Sequence, residues 1–373
     1  MSTAPSSTEP LGGWLRATRD VSPLLSFRAA GLRGRARRVA TIGLGVILLV
    51  TVLAAWLPGY LPDVDGRRHD VLLLLPSGYI GVLAIAIVSS VASGGGRELM
   101  PREQAVAFPV SPVTDHLGAL LMAPLNIAWL LQSWTLLGAT AYAIGPHWQL
   151  LLAQLPVVGW LLAATSIAQL VSWSMEWVRR GAHGTLLARG LVGGAAASMA
   201  VLVTTHRLVP LLDHSPTVRI SYGVLYGATG EVLPWLAVVV EILAIALIAI
   251  FLGGLVAVRV ARRPARDEAR VESSIQTPRG NPGSDFAALV RTDRVGIWRS
   301  VPLRRGLAVL AIMPGLVAVA GALDWEMLTI LPGLVASGGA LLFGVNSWCL
   351  DGRGALWRDS LPVPPRQVFA SRV

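Results

Sequence analysis

Glu241 stands inside the apolar run VVVEILAIALIAIF of this 373-residue chain, an unusual setting for an ionisable side chain. If the run crosses a bilayer, Glu241 lies about 12 Å deep at 1.5 Å per residue. An acid at that depth is costly and marks a solute pathway, a proton site or a polar partner. A single acid with no embedded arginine is a poor relay, so a protonated glutamate hydrogen-bonded to a neighbouring helix is the competing reading. Asn126, Gln132, Gln154 and Gln169 occupy similar apolar runs and suit interhelical hydrogen bonds. Asn126 and Gln132 join Glu241 as candidate pathway residues.

A second group of residues suits docking. In the segment GGGRELMPREQAVAFPVSPVTDH, which ends at His116, the charges Arg97, Glu98, Arg102 and Glu103 are interleaved with Leu99, Val106 and Phe108. That mixture predicts a short helix lying in the membrane interface, its regular part starting at Pro101. Pro109 and Pro112 stop it and re-aim the chain into the next apolar run. Such a charged surface helix is a handle for a cytoplasmic partner; the alternative is a solvated connector. The ending recurs: Arg353 follows Asp351-Gly352, and Leu361-Pro362-Val363-Pro364-Pro365 repeats the pattern of Phe108-Pro109-Val110-Ser111-Pro112. Recurrence favours a handle, since a connector has no need of the same ending twice.

Chemistry of other kinds is excluded or unsupported. The six histidines are scattered, with no HExxH or other dense ligand spacing, so no metal is expected. All 31 basic residues are arginine, which removes the P-loop lysine and any lysine Schiff base. There is no GxSxG, and the one cysteine, Cys349, has no histidine nearby in sequence. Asp63, Asp65 and Asp70 are interleaved with Arg67 and Arg68, as in a solvated loop. No catalytic residue and no cofactor is expected.

These residues must be positioned by membrane helices. The chain is 54% hydrophobic and 14% charged, with a mean hydropathy of +0.62, unlike a water-solvated domain. Eight stretches approach the roughly 20 apolar residues that a bilayer core requires. They are Val39–Leu57, Val71–Ser93, Leu117–Ile144, Leu151–Ser172, Leu191–Thr205, Leu233–Val258, Gly306–Leu323 and Leu328–Cys349. None alternates as a barrel strand does, so the expected fold is an all-α polytopic bundle of about eight transmembrane helices. With a cytoplasmic N-terminus, 27 arginines fall in inside segments, and only Arg67, Arg68, Arg207 and Arg219 fall outside. The positive-inside rule then places both termini in the cytoplasm. The formal charge of +10 is thus a topology signal, and no nucleic-acid partner is needed to explain it. The first apolar run is long enough to span, which argues against a cleaved signal peptide.

The predicted organisation is a cytoplasmic or interfacial segment over 1–38, a six-helix unit over 39–258, a cytoplasmic linker over 259–285 and a partial second unit of two helices over 286–373. The partial unit rests on an internal repeat. LLPSGYIGVLAIAIVSSVASGGGR aligns with ILPGLVASGGALLFGVNSWCLDGR at an offset that pairs Pro76 with Pro332 and Arg97 with Arg353. Either the sequence is a piece of a longer protein lacking about four helices, or the second unit is a half-unit. Gly190 and Gly194 form a GxxxG suited to close helix packing.

The order of an interfacial helix, two spans, a cytoplasmic helix, three spans, an external segment and a sixth span resembles the ABC-2 type exporter permeases. The FPVSP and LPVPP endings look like the LPxSP-type motif of actinobacterial members. The resemblance implies a multi-pass permease of a bacterial plasma membrane. It also implies a separate ABC ATPase docked beneath the coupling helices and a pathway built from two six-helix units, so that a homodimer is one arrangement. In that family a re-entrant or surface segment precedes span six, the place held here by Arg207–Gly230. The rival readings are an ion-coupled secondary transporter using Glu241 and a membrane scaffold without transport. The exported substrate is not legible.

Overall fold

The computed structural model describes residues 10–30, 34–92, 110–263, 280, 282–299, 301–320, 332, 335, 360 and 362–371. All regular structure among the described residues is helical. The helices are α1 (Pro10–Ala30), α2 (Arg35–Trp56), α3 (Arg67–Ala92), α4 (Pro112–Met122), α5 (Ile127–Ile144), α6 (Leu150–Arg179) and α7 (Gly184–Thr204). There follow α8 (Leu208–Asp213), α9 (Val218–Thr229), α10 (Val232–Ala261), α11 (Asp285–Arg299), α12 (Val301–Ala320) and α13 (Pro365–Ala370). Among the described residues, five helical segments are long and apolar enough to cross a membrane: Arg35–Tyr60, Arg67–Val91, Leu150–Arg179, Leu186–Thr204 and Val232–Ala261. A bent pair, Pro112–Leu125 with Trp129–Ile144, makes a sixth if it counts as one span. The chain is therefore an all-helical, membrane-embedded protein. Of the eight predicted stretches, the seventh is helical as far as Ala320, and all of the eighth except Pro332 and Val335 lies outside the described residues.

Packing divides the chain into two units, one formed by 1–91, 95–193 and 207–264 and the other by 92–94, 194–206 and 265–373. The first is built on α6, whose alanines, serines and glycine let its neighbours approach closely. Ala153, Val157, Leu161 and Ala164 of α6 pack with Leu75, Tyr79, Leu136, Val224, Val238 and Ile242. With no water to compete in lipid, indole, amide and hydroxyl donors tie one helix to the next. Trp235 Nε1 donates to Leu152 O at 2.9 Å and Arg180 Nη1 to Arg263 O at 3.0 Å, both pairs 83 residues apart, so α6 and α10 run parallel in constant register. Trp160 Nε1 donates to Tyr79 O and Ser172 Oγ to Ser90 O, each at 3.0 Å, which makes α3 parallel to them as well. Helices α2 and α5 run parallel to each other and opposite to those three, tied by Trp134 Nε1 donating to Thr51 Oγ1 at 2.9 Å. Gln154 Nε2 bridges Ala55 O and Leu137 O, the interhelical role expected of it.

Two features depart from a simple up-and-down bundle. The predicted third span is broken: Ala123–Leu125 forms a 3-10 turn containing Pro124, Asn126 is extended with ψ 127°, and the two helices meet at 61°. Proline withholds an N–H from the ladder and so permits the break there. The segment before α10 is also not confined to the surface. Gly227 of α9 lies against the backbone of Leu152 and Ala153, Gly223 against Val238 and Pro156, and Thr217 Oγ1 donates to Pro76 O at 2.9 Å, midway along α3. Helix α9 therefore re-enters the bundle by about 18 Å at 1.5 Å per residue and turns back into α10 at Gly230, whose φ of 80° favours glycine. Close helix packing uses Gly223 and Gly227, whereas a Cβ at Gly190 or Gly194 would meet nothing within 4 Å.

Candidate functional site

Asn126 and Gln132 come together at the α4–α5 break, on the wall of a cavity of about 60 Å³. Its other polar walls are Ser89 and Ser90 of α3 and Thr165 and Gln169 of α6; Leu120, Trp129 and the alanines 86, 119, 123 and 168 supply the apolar ones. The cavity lies at the bend, with residues of both α4 and α5 on its wall. Trp129 Nε1 donates to Thr165 Oγ1 at 2.9 Å, and Thr165 in turn to Leu161 O at 2.6 Å. Gln169 does not fulfil the interhelical role expected of it: it is 8% exposed and its Nε2 has no hydrogen-bond partner. No acid, arginine or histidine lines the cavity.

Glu241 lies elsewhere. Its carboxylate pairs with Arg219 of α9, and both side chains are largely on the exposed side of the bundle. The arginine that the sequence counted as external is therefore carried inward by α9 and supplies the embedded cation missing from the single-acid reading. A protonated glutamate held by a neutral partner is replaced by an ion pair. Glu241 and the Asn126–Gln132 cavity do not form one site.

Of the docking residues, Arg97, Glu98, Arg102, Glu103, Phe108, Pro109 and Arg353 lie outside the described residues. Pro112 is the first residue of α4, with Ser111 as its N-cap: Ser111 Oγ accepts from Thr114 N at 3.0 Å. Helix α4 packs on α1, whose Ala17 and Val21 are buried, while Trp14 stacks on Phe251 at 5.5 Å and lies over Gly254. On α10 the adjacent Gly253 makes room for His116 of α4, where a Cβ would stand 2.6 Å from the ring. Trp173 Nε1 can only donate, so His116 Nδ1 accepts at 3.2 Å and Nε2–H donates to Ile250 O at 3.0 Å. This His116–Gly253 and Trp14–Gly254 seating holds the start of α4 and helix α1 at one end of the unit. The same end carries Arg35, Arg37 and Arg38 of α2, Arg179 and Arg180 where α6 ends, and Arg259, Arg262 and Arg263 where α10 ends. Arg180 is fastened there to Glu176 at 2.9 Å and Arg263 covers the Trp177 ring at 4.2 Å. The His116 contacts were not foreseen; the Gly253-Gly254 pair in an otherwise bulky apolar run was the available signal.

Pro362 lies in the turn before α13, and Pro365 is its first residue, as Pro112 is of α4. Helix α13 packs on α11, with Ser371 Oγ donating to Asp293 Oδ2 at 2.9 Å. In each unit, then, the helix begun by the last proline of the motif rests on the amphipathic helix that precedes the unit's first apolar helix. At the opposite end of the first unit, Arg68 Nη2 donates to Gly59 O at 3.0 Å and Leu61 O at 2.6 Å, and Asp63 Oδ1 accepts from Arg68 N at 3.1 Å. Those two residues fasten the loop. Among the described residues no cluster of three or more His, Cys, Asp or Glu side chains is arranged to hold a metal ion.

No protein-family model matches the chain, and no curated protein or solved structure matches it significantly.

Proposed function

We infer that the chain is the membrane-spanning permease subunit of an ATP-driven exporter of ABC-2 type, coupled through cytoplasmic helices to a separate ATPase. The observation that carries this reading is the seat of α4. The helix that begins at Pro112 is seated against α1 at the arginine-rich end, and the short helix that begins at Pro365 contacts α11. A push on the segment before Pro112 is then transmitted to α4, to the α4–α5 bend and to α10 through His116. On the positive-inside rule the arginine-rich end faces the cytoplasm, as do both termini, and the membrane is a bacterial plasma membrane. Arg97, Glu98, Arg102, Glu103 and Phe108, with Arg353 in the second unit, are the docking residues. The chain borrows its energy, since without a lysine it has no P-loop. Closure of the ATPase on nucleotide tilts the docked helices and switches a pathway built from two six-helix units, a second copy of the chain supplying the other.

An ion-coupled transporter is disfavoured by the Arg219–Glu241 pair, because the place of a bound cation beside this carboxylate is taken by a guanidinium. The deciding experiment is co-purification with an ATP-hydrolysing subunit before and after charge reversal at Arg97, Arg102 and Glu103. The reading predicts that the complex is lost on reversal; an unaltered complex removes the assigned handle.

A further inference from the structure

An ion pair inside a bilayer is expected to face protein, yet Arg219 and Glu241 keep 62% and 44% of their side chains exposed, and Glu241 lies about 12 Å deep. Their neighbours point to what covers them. Helix α9 buries Ile220, Gly223, Val224 and Gly227, which leaves Arg219, Tyr222, Tyr226 and Thr229 along its outer side at helical spacing. Tyr222 is 52% exposed, and its ring stacks on that of Tyr226 at 6.4 Å. The polar stripe runs outward from the depth at which Thr217 meets Pro76 O. It ends at Gly230, which lies against Gln149 at the end opposite the arginine-rich one. Beside it the outer side of α10 is apolar, with Leu233, Leu236 and Val240 exposed. A polar rail and an apolar rail thus lie side by side over the same depth.

We propose that this groove between α9 and α10 is the binding lane of an amphiphile whose head is uncharged and rich in hydroxyl groups, a glycolipid in class. The guanidinium donates and the carboxylate accepts, and a hydroxyl does both, so sugar hydroxyls are served by both members of the pair. A charged head loses to one member what it gains from the other. The tyrosines offer ring faces to the sugar and hydroxyls to its oxygens, while the acyl chains lie on Leu233, Leu236 and Val240, open to the bilayer. A second copy of the chain is the poorer cover. Among the described residues the other little-buried spans, α2, α3 and α7, carry no charge beyond their first two turns that could meet the pair at this depth. The inference rests on the exporter reading only in taking the glycolipid as cargo.

The experiment puts p-benzoylphenylalanine at Tyr222 of the full-length protein and, for comparison, at Val240, which lies beside Glu241 on the apolar rail. Vesicles hold diglucosyl diacylglycerol and phosphatidylglycerol in equal amounts with the same acyl chains, and the photoadducts are identified by mass spectrometry. At position 222 the glycolipid should be captured about fivefold more than the phospholipid, the worth of one net hydrogen bond, and through its head or glycerol. At position 240 both should be captured alike, through their acyl chains. Replacing the pair by Arg219→Leu with Glu241→Leu leaves no unpaired charge in the bilayer and should bring the ratio at 222 to unity. Equal capture of the two lipids at 222, capture there through acyl chains alone, a covalent dimer of the chain, or no adduct overturns the proposal. So does a preference that survives the double replacement. Suppression by free maltose as strong as by added glycolipid would assign the groove to a soluble sugar and overturn the amphiphile. No nucleotide enters the readout, so a failed capture leaves the ATPase coupling standing, and loss of that coupling leaves the capture intact.

Discussion

Replacing Gly227 by alanine should loosen the seat of α9. A Cβ at this position stands 2.8 Å from the backbone of Leu152 and Ala153, which cannot swing aside as a side chain can. Carbon contacts settle at about 3.5–4.0 Å, so α9 and α6 must part by about 1 Å. The displaced helix is one that buries Ile220, Ser221, Gly223 and Val224. Overpacking of this kind costs about 1–3 kcal/mol. At about 2–4 °C per kcal/mol for a unit of this size, a mid-range cost lowers the apparent Tm by about 4–8 °C. The 13 tryptophans make intrinsic fluorescence of the detergent-purified protein a sufficient assay. Gly190→Ala is the control: nothing lies within 4 Å of its Cβ, and alanine is the better helix former, so the Tm should hold or rise. An unchanged Tm for Gly227→Ala, or an equal fall for both variants, refutes the re-entrant packing of α9.

Further outcomes follow from the same contacts. Gly253→Ala should destabilise the wild-type background through its clash with the His116 ring and be tolerated in His116→Ala, giving a double-mutant coupling in thermal unfolding; additive effects would contradict the seating of α4 on α10. Either Arg219→Gln or Glu241→Gln alone should lower the yield of folded protein by leaving one charge unpaired in the bilayer, and the exchange Arg219→Glu with Glu241→Arg should restore it; no restoration by the exchange would remove the pair as a structural element. In vesicles, an ion gradient without ATP should drive no solute flux, and gradient-driven flux abolished by Glu241→Gln would revive the ion-coupled reading. Trp14→Ala should detach α1 from Gly254 and Phe251 and speed proteolytic cleavage within residues 10–30; unchanged protection would show that Ala17 and Val21 hold α1 alone.

The helical, membrane-embedded class was legible because a bilayer imposes one length and one composition on its spans, and the runs around Leu151–Ser172 and Leu233–Val258 meet both. The break at Asn126 was only half legible: Pro124 announces a weak ladder but not that the next residues leave the helix. GxxxG gives a spacing without saying which face is covered: Gly190 and Gly194, read as suited to close packing, meet nothing within 4 Å, whereas Gly223 and Gly227, at the same spacing, meet neighbours. Arg219 was counted as external because it falls between the fifth and sixth apolar runs; the resemblance allowed a re-entrant or a surface segment there, and the choice between them depends on α9 packing against α6, which leaves no local mark. The sequence marked Asn126 and Gln132 as residues able to meet a solute, but their convergence with Gln169 depends on a bend angle and was invisible.

The most direct test of the account is a crosslink. With Arg102→Cys as the only thiol, in a Cys349→Ser background, a thiol-to-amine crosslinker is applied to intact membranes with and without ATP. The account predicts an adduct with an ATP-hydrolysing subunit on the cytoplasmic side, its yield changed by nucleotide. Modification of that thiol from outside the cell, or an adduct pattern containing no nucleotide-binding subunit, would contradict it.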